Sequence, residues 1–547
     1  MNISVFDSER LLFTPATPDM NAIPIIFAFP NEYTVGITSL GYQIVWATLA
    51  LRSDVQVSRL FTDIHEPLPT QPELLGFSVS WELDYINILE RLEFLNIPIR
   101  SVNRDNSHPL VFGGGPVLTA NPEPFADFFD LVLLGDGEDL LPNLITAYQQ
   151  VRTASREIKL RHLAQVPGVY VPSLYQVIYE SQDGKIKSIE PITADIPKIV
   201  QKQTYRGNTL SASTVVTEKA AWENIFMVEV VRSCPEMCRF CLASYLTLPF
   251  RTASLETSLI PAIEQGLTVT KRIGLLGASV TQHPEFNELL DYLSQPKYDD
   301  VRLSIASVRT NTVTVQLAET LAKRDTKSLT IAIESGSENL RKIINKKLEN
   351  EEIIQAVVNA KAGGLKALKL YGMVGIPGES PEDVEATLAL MKQLKKAAPG
   401  LKLTLGCSTF VPKSHTPFQW FGVNPEAEKR LKYLEKNLRK NGIEFRPESY
   451  KWSVIQALIS RGDRRVSHLL ELVRGYGESL GSYRRAFKEL RGQLPELDYY
   501  VYENWHLDDI LPWHHLQGPL PEATLKKHLA DANSQIKNPL NCTPTAV

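Results

Sequence analysis

Short apolar segments alternate with segments of helical spacing, and this alternation constrains the fold more than any other feature of the chain. Over residues 22–155 the predicted strands are IPIIFAF, ELLGFSVS, PLVFGGG and FDLVLLG, and LGYQIVWATLAL has helical spacing. Strands that alternate with helices favour a parallel, doubly wound sheet. We therefore predict an α/β, Rossmann-like domain at 1–155, with ligands beyond the carboxyl ends of its strands.

The same alternation resumes over residues 225–445. The predicted strands are IFMVEVV, RIGLLGA, VRLSIAS, SLTIAIES, ALKLYGMVG and LKLTLGCS. A full eight-fold barrel needs about 250 residues, so six βα units at 223–445 predict a partial (β/α)6 TIM barrel. Its active site is expected at the carboxyl ends of the strands, where the unusual residues of this region cluster.

Two further segments complete the predicted organisation. Residues 156–222 are predicted to be a linker or insertion that contains a β-hairpin, with Asp183 and Gly184 at its turn. Residues 446–547 are predicted to be a mainly helical segment that ends in a loose tail.

Charge and hydropathy limit the location and the partners. The net charge is -4, so no global basic field favours nucleic acid. The N-terminus lacks the basic and apolar pattern of a signal peptide, and the apolar run near residues 23–29 is shorter than the about 20 residues that span a bilayer. We expect a soluble cytoplasmic protein with no membrane partner.

The cysteines indicate a metal or redox site. Three of the five, Cys234, Cys238 and Cys241, are spaced C-x3-C-x2-C directly after an apolar strand, which is not a disulfide framework. Three thiolates on one loop can hold three irons of a cubane that normally takes four cysteines, which leaves one iron open. The alternatives are a zinc knuckle and inert buried thiols. Cys407 is expected in the core and Cys542 in the tail.

The motif and its position after a strand resemble those of the radical S-adenosylmethionine (SAM) superfamily. The resemblance extends over residues from about 225 to 420. It implies an enzyme with a [4Fe-4S] cluster on the three cysteines, SAM on the open iron, and reductive cleavage of SAM to a 5′-deoxyadenosyl radical. It also implies an electron donor such as flavodoxin or ferredoxin. Phe240 would lie near the adenine.

The ends of the later strands contain the other SAM contacts that the resemblance implies. The turn Gly274-Leu-Leu-Gly-Ala-Ser279 stands where relatives carry a GGE-like stretch for the SAM amino group, but it has no acidic residue. Backbone carbonyls and Ser279 would therefore accept those hydrogen bonds. Arg309 would pair with the SAM carboxylate, or form a structural salt bridge. Glu334 closes an apolar strand, where an unpaired carboxylate is costly. The full set is Phe240, Gly277, Ala278, Ser279, Ser307, Arg309, Glu334, Gly375 and Pro377.

The N-terminal segment resembles the cobalamin-binding domain of B12-type radical SAM enzymes. Glycines let the backbone approach a large planar cofactor, and hydroxyls can bond its nucleotide tail. The usual D-x-H-x-x-G is absent, because residues 30–36 contain no histidine to bind cobalt. Some members bind cobalamin without such a ligand, and others keep only the fold. The candidate cobalamin contacts are Ser78, Ser80, Gly113, Gly114, Gly115, Gly135, Asp136 and Gly137.

These features together predict a radical SAM enzyme that activates an unknown substrate, with cobalamin either delivering a methyl group or assisting a rearrangement. The alternatives are a radical SAM enzyme without cobalamin, acting on RNA or a small molecule, and a non-catalytic iron–sulfur electron carrier. The remaining candidates are His415 near the substrate, Arg464 and Arg465 as a clamp for an acidic substrate, and His514 and His515 as metal ligands. Each has a structural alternative.

Overall fold

The N-terminal alternation forms one six-stranded sheet in the computed structural model, which describes residues 5–306 and 308–536. Ser307 and Cys542 lie outside the described residues. The strands of this region are β1 (Arg10–Leu11), β2 (Ile23–Ala28), β3 (Val55–Leu60), β4 (Leu74–Ser78), β5 (Leu110–Gly114), β6 (Leu131–Leu133) and β7 (Val169–Tyr170). The helices are α1 (Tyr33–Gly36), α2 (Leu40–Ala50), α3 (Tyr85–Phe94), α4 (Pro116–Ala120), α5 (Gly137–Gln150) and α6 (Arg156–Leu163).

The strand order β3-β2-β4-β5-β6-β7 confirms the predicted doubly wound sheet. All neighbours are parallel except β6 and β7, which are antiparallel. The chain leaves β2 toward β3 on one side and then crosses to β4 on the other. Ligands bind at such a switch point, beyond the carboxyl ends of the strands. Strand β7 belongs to this sheet although it lies past residue 155.

Strands of the segment between the two α/β regions pair with an N-terminal strand and with a strand of the C-terminal segment. Strands β8 (Tyr175–Tyr179) and β9 (Ile186–Pro191) form the antiparallel hairpin, and Gly184 lies in its turn. Strand β10 (Val200–Gln201) pairs with Leu516–Gln517, and β11 (Val215–Val216) pairs with β1.

The second alternation forms the partial barrel. Its strands are β12 (Phe226–Glu229), β13 (Val231–Arg232), β14 (Arg251–Thr252), β15 (Arg272–Leu276), β16 (Arg302–Ile305), β17 (Ser328–Glu334), β18 (Ala367–Val374), β19 (Lys402–Thr409) and β20 (Glu444–Pro447). Its helices are α7 (Leu242–Tyr245), α8 (Ile260–Leu267), α9 (Phe286–Leu293), α10 (Val315–Lys323), α11 (Glu338–Ile343), α12 (Asn350–Ala362), α13 (Pro381–Ala397) and α14 (Ala427–Lys440).

The barrel strands are parallel and run in chain order. Strands β12, β15 and β16 form one part, strands β17 to β20 form the other, and a bridge between Val308 and Ile331 joins them. The six predicted strands are present, and the short β20 adds a seventh beside β19. One hydrophobic cluster fills the space between these strands and the outer helices.

The C-terminal segment is mainly helical, as predicted. Its elements are α15 (Tyr450–Arg461), α16 (Val466–Tyr476), α17 (Leu480–Glu489), α18 (Leu497–Val501), β21 (Leu516–Gln517) and α19 (Glu522–Asn533). Residues such as Leu458 and Trp513 share one hydrophobic cluster with Phe27 of the first sheet, so this segment stabilises the N-terminal region. None of the helices in 5–306 and 308–536 is both long and apolar enough to cross a membrane.

Candidate active site

The three clustered cysteines lie on one loop between β13 and α7, and α11 holds that loop in place. Asn345, just after α11, donates from its side-chain amide to the carbonyls of Glu236 (3.1 Å) and Met237 (2.9 Å). The Arg239 guanidinium donates to the carbonyl of Ile343 at 2.6 Å. Met237 has a φ of 55°, a left-handed conformation that non-glycine residues adopt at a cost of about 1–3 kcal/mol. The loop is therefore shaped by its partners rather than by local preference.

Of the three cysteines of this loop, Cys238 is buried, and Cys234 and Cys241 are partly exposed. Cys238 is 6% exposed, and burial raises its pKa to about 12. Burial also raises the pKa of Cys241. The free thiols of Cys238 and Cys241 are thus protonated at neutral pH, and binding of iron must release their protons, because the thiolate is the ligand.

The donor set suits a cluster. In residues 5–306 and 308–536 no three histidine, cysteine, aspartate or glutamate side chains are grouped to hold one metal ion. A cubane spreads its cysteines over separate irons, so its thiols need not converge on one atom. Three soft thiols on one loop would hold three of its four irons.

Arg309 is an ion-pair partner of the cysteine loop. Its guanidinium lies 2.6 Å from the carboxylate of Glu236, and both side chains are mostly buried. Gln282 donates to the same carboxylate at 2.5 Å and accepts from Ser279 at 2.5 Å. These contacts bring together the ends of β15 and β16 and the cysteine loop. Glu236 and Gln282 were missed by the sequence analysis, because only their spatial neighbours distinguish them.

Glu334 also has a charged partner. A bulge at the end of β17 gives Glu334 a φ of 63°, and its carboxylate lies 3.1 Å from the Lys346 ammonium. Ser337 caps α11, and the buried Arg341 donates to the carbonyl of Ser335 at 2.6 Å. The string ESGSE…R…IN-K therefore positions α11, the cysteine loop and Glu334 as one unit. Asn345 and Lys346 belong to this string, so the sequence itself contained the signal that could have indicated their roles.

A cavity of about 630 Å³ lies between the first sheet and the mouth of the barrel. Ser233 and Leu242, which flank the outer cysteines, face it, as do Gly277 and Ala278. The predicted residues of the first sheet that line it are Ser78, Ser80, Gly114, Gly115, Gly135, Asp136 and Gly137. Gly113 instead serves packing, since a Cβ there would meet Leu118 at 2.4 Å.

Asp136 ties the two α/β regions together at the edge of this cavity. Its carboxylate accepts from the Arg251 guanidinium at 2.6 Å and from the Tyr205 N–H at 3.0 Å, and lies 3.6 Å from Arg232. Glu138 binds Arg232 at 2.7 Å. Burial alone would raise the pKa of Asp136, but Lys202 and the two arginines outweigh it and hold that pKa below its usual range. The Asp136 carboxylate thus contacts two barrel arginines and the Tyr205 N–H of the segment between the two α/β regions.

Gly375 and Pro377, two further predicted SAM positions, belong to the turn after β18. The Gly375 N–H donates to the Glu379 carboxylate at 2.6 Å, and Arg430 binds that carboxylate at 2.5 Å. Gly375 has a φ of 76°, which glycine adopts readily. Pro377 lies in this turn, and Phe240 packs against the larger hydrophobic cluster.

The remaining candidates lie in the C-terminal segment or, as His415 does through Trp513, contact it. His415 is buried with a φ of 57°, and burial lowers its pKa to about 4. Arg464 binds the buried carboxylate of Glu123 at 3.1 Å, and His515 packs between Tyr170 and Tyr175. Further contacts are Arg465 with Asp463 at 2.6 Å and His514 with Glu522 at 3.7 Å.

Comparison with known proteins identifies the class to which this site belongs. A family model described as the radical SAM superfamily matches residues 228–391, and one described as the N-terminal part of radical SAM proteins matches residues 63–172. The uncharacterised protein MJ0966 of Methanocaldococcus jannaschii is 30% identical over 455 residues, which cover 82% of this chain and 90% of the relative. This chain belongs to the radical SAM superfamily, whose enzymes use a [4Fe-4S] cluster and SAM.

More distant relatives and solved structures match in part. The uncharacterised methyltransferase PH0819 of Pyrococcus horikoshii is 26% identical over 298 residues, covering 53% of this chain and 59% of the relative. The radical SAM methyltransferase TsrM of Kitasatospora setae, solved with cobalamin and a [4Fe-4S] cluster, has a TM-score of 0.48 at 14% identity, covering 73% of this chain and 77% of TsrM. The cobalamin-dependent radical SAM enzyme OxsB has a TM-score of 0.47 at 12% identity, covering 86% of this chain and 70% of OxsB.

Proposed function

We propose that Cys234, Cys238 and Cys241 hold the [4Fe-4S] cluster, and that the enzyme cleaves SAM to activate a substrate in the cavity. Cobalamin would lie against the carboxyl ends of the first sheet and carry the methyl group that is transferred. A one-electron donor such as flavodoxin or ferredoxin would reduce the cluster.

The cavity is the observation that carries this proposal. It extends from the ends of β4, β5 and β6 to Ser233, next to Cys234, and to Gly277 after β15. A cofactor on the sheet and a SAM molecule at the mouth of the barrel would therefore share one space. This arrangement suits a reaction in which one cofactor activates the carbon and the other delivers a group to it.

The walls of the cavity suit a large, mostly apolar macrocycle with polar edges. Phe27, Phe77 and Phe112 supply apolar surface, and Ser78 and Ser80 supply hydroxyls. The described residues of the lining include no histidine, cysteine or methionine, so we propose that cobalamin is held without a protein ligand to cobalt.

The chain's own residues position and shield the reacting groups. Bound together, the cluster and SAM supply reductive cleavage of the sulfonium, and cobalamin supplies a methyl carrier. Lys346 and Glu334 form a charged pair near Cys238, where a polar cofactor can be oriented. The relative PH0819, described as a methyltransferase, supports methyl transfer as the outcome.

Cobalamin uptake tests the proposal. Gly41 lines the cavity, and a Cβ at this position meets no atom within 4 Å, so Gly41→Trp places an indole there without a clash at the backbone. Gly475→Trp is the matched control, because a Cβ at Gly475 on α16 also meets nothing within 4 Å.

Each protein is incubated anaerobically with hydroxocobalamin, desalted and measured by its visible absorbance. We expect wild type and Gly475→Trp to retain the corrinoid and Gly41→Trp to lose it. Wild type that cleaves SAM but retains no corrinoid would contradict the cobalamin proposal and favour an enzyme that modifies RNA or a small molecule without it.

A further inference from the structure

Lys202 is a buried cation at the cavity between the first sheet and the barrel. Its side chain lines this cavity, and the residue is 7% exposed. It directly follows β10 and therefore belongs to the segment between the two α/β regions. The Lys202 ammonium donates to the Gln203 carbonyl and to the Thr204 hydroxyl, each at 3.0 Å. An ammonium has three N–H donors, so one of them has no acceptor among the residues that the structure describes.

No carboxylate of the described residues forms an ion pair of 4.0 Å or less with Lys202. The charges of Asp136 and Glu138 act on it from farther away, and arginines bind both carboxylates. Arg251 lies 2.6 Å from Asp136, and Arg232 lies 2.7 Å from Glu138. Burial is the largest influence on the pKa of Lys202 and lowers it. A buried cation without a direct counter-ion is costly, and in a cleft such a group indicates a binding site.

The rest of the cavity lining is mostly apolar, with side chains such as Phe112 and Leu276. Arg232 also lines the cavity, but carboxylates already bind its guanidinium. Ser233, which directly precedes the first cysteine of the loop, lines the same space. A ligand that matches this lining is therefore apolar over most of its surface and carries one anionic group for Lys202.

We propose that Lys202 binds an anionic group of the substrate, a carboxylate or a similar oxyanion, and that the substrate is an apolar acid. This inference rests on the proposed function, because it takes the cavity as the place where the substrate is activated. An oxygen of the anionic group accepts the remaining N–H of Lys202, and its charge supplies the direct counter-ion that the protein does not. Lys202 is then a residue that determines substrate specificity, because it favours an acid over a neutral molecule of the same shape.

Two probes of the same shape test this assignment without SAM, cobalamin or turnover. The dye 8-anilinonaphthalene-1-sulfonate is an apolar molecule with one anionic group, and N-phenyl-1-naphthylamine has the same rings without the sulfonate. Dissociation constants are measured by anaerobic equilibrium dialysis on the full-length, iron-loaded protein. The variants are Lys202→Met and Lys202→Arg, and Lys198→Met is the matched control, because Lys198 is an exposed residue of the same segment.

We expect Lys202→Met to lose the preference for the anionic probe. A lost charge-assisted hydrogen bond weakens binding at least about tenfold, so Lys202→Met should weaken the sulfonate by that factor and should not weaken the naphthylamine. Binding of the naphthylamine also shows that this variant is folded. Lys202→Arg, which keeps the charge, should keep the preference, and Lys198→Met should bind both probes as wild type does. Gly41→Trp, which fills the cavity, should weaken both probes.

The phosphodiester in the tail of cobalamin is a second anion that Lys202 could meet in this cavity. Retention of hydroxocobalamin is therefore compared with retention of cobinamide, which lacks the nucleotide and the phosphodiester. We expect Lys202→Met to retain both corrinoids as wild type does. Retention of cobinamide together with loss of cobalamin would assign Lys202 to the corrinoid and overturn its assignment to the substrate.

Two results with the dyes would also overturn the inference. One is an unchanged dissociation constant of the sulfonate in Lys202→Met, and the other is an equal loss of both probes in that variant. A wild type that prefers the sulfonate but cleaves no SAM would contradict the proposed function. A wild type that cleaves SAM and retains cobalamin without this preference would contradict the inference alone, so the two failures are distinguishable.

Discussion

Replacement of Asp136 by alanine is expected to destabilise the contact between the first sheet and the barrel by about 3 kcal/mol. The Asp136 and Arg251 side chains are 11% and 10% exposed and lie 2.6 Å apart. Removal of one partner from a buried ion pair costs about 3–5 kcal/mol, because the other charge is left unpaired. Arg232 keeps Glu138 and Glu229 as partners, so the lower end of this range applies.

The assay is a double-mutant cycle of Asp136→Ala and Arg251→Met, read as the free energy of unfolding in urea. Glu157→Ala is the matched control, since Glu157 pairs with Arg161 at 3.3 Å but is 77% exposed, and exposed pairs contribute about 0–1 kcal/mol. A coupling energy near zero, or equal losses in Asp136→Ala and Glu157→Ala, would refute the reasoning.

The pH dependence of this contact has a defined sign. The pKa of Asp136 is lowered in the folded state, so its stabilisation is fully present above the unfolded pKa of about 3.9. It is lost as the pH falls through the lowered folded pKa. The difference between wild type and Asp136→Ala should therefore be constant near neutral pH and shrink in acid.

Three further perturbations test other parts of the structure. Asn345→Ala removes the donor to two carbonyls of the cysteine loop, a loss of about 1–3 kcal/mol, and should speed the loss of iron to a chelator. Asn437→Ala is the control, because it removes a similar hydrogen bond on the surface and should leave the rate of iron loss unchanged. Tyr245→Phe removes the hydroxyl that lies 2.8 Å from His528 and 3.3 Å from the Met237 carbonyl, so iron should again be lost faster while the circular dichroism is unchanged. Burial lowers the pKa of His415 from 6.5 to about 4, so the unfolded state takes up a proton first as the pH falls from 6.5 toward 4. Across this window the free energy of unfolding should fall by up to about 3 kcal/mol in wild type and not in His415→Asn. Equal slopes of the free energy of unfolding against pH in both proteins would count against this assignment.

The strands that the sequence predicted are those with continuous apolar runs. Strand β3 (Val55–Leu60) was not predicted, because VQVSRL mixes polar with apolar residues at the edge of the sheet. Arg59 is buried there only because Glu9 and Glu66 bind its guanidinium at 2.8 Å and 2.7 Å. Both partners come from other segments, so no local pattern could indicate this burial.

The candidate site was predictable where one loop or one strand end contains all of its chemistry. The spacing of Cys234, Cys238 and Cys241 indicates an iron site without knowledge of the fold. The contacts of Asp136, Glu236 and Arg309 depend on segments that only the folded chain brings together. For this reason the sequence predicted Asp136 as a cobalamin contact, and only the structure adds that this residue of the cavity lining also binds the arginines of the barrel.

The most direct test of the central claim is the conversion of SAM to 5′-deoxyadenosine by the reconstituted, dithionite-reduced enzyme. Cys238→Ala removes a thiol of the loop, and Cys407→Ala, on β19 in the hydrophobic core, is the matched control. We predict product from wild type and Cys407→Ala and none from Cys238→Ala. Equal product from Cys238→Ala, or intact SAM after incubation with cluster-loaded wild type and cobalamin, would contradict the account.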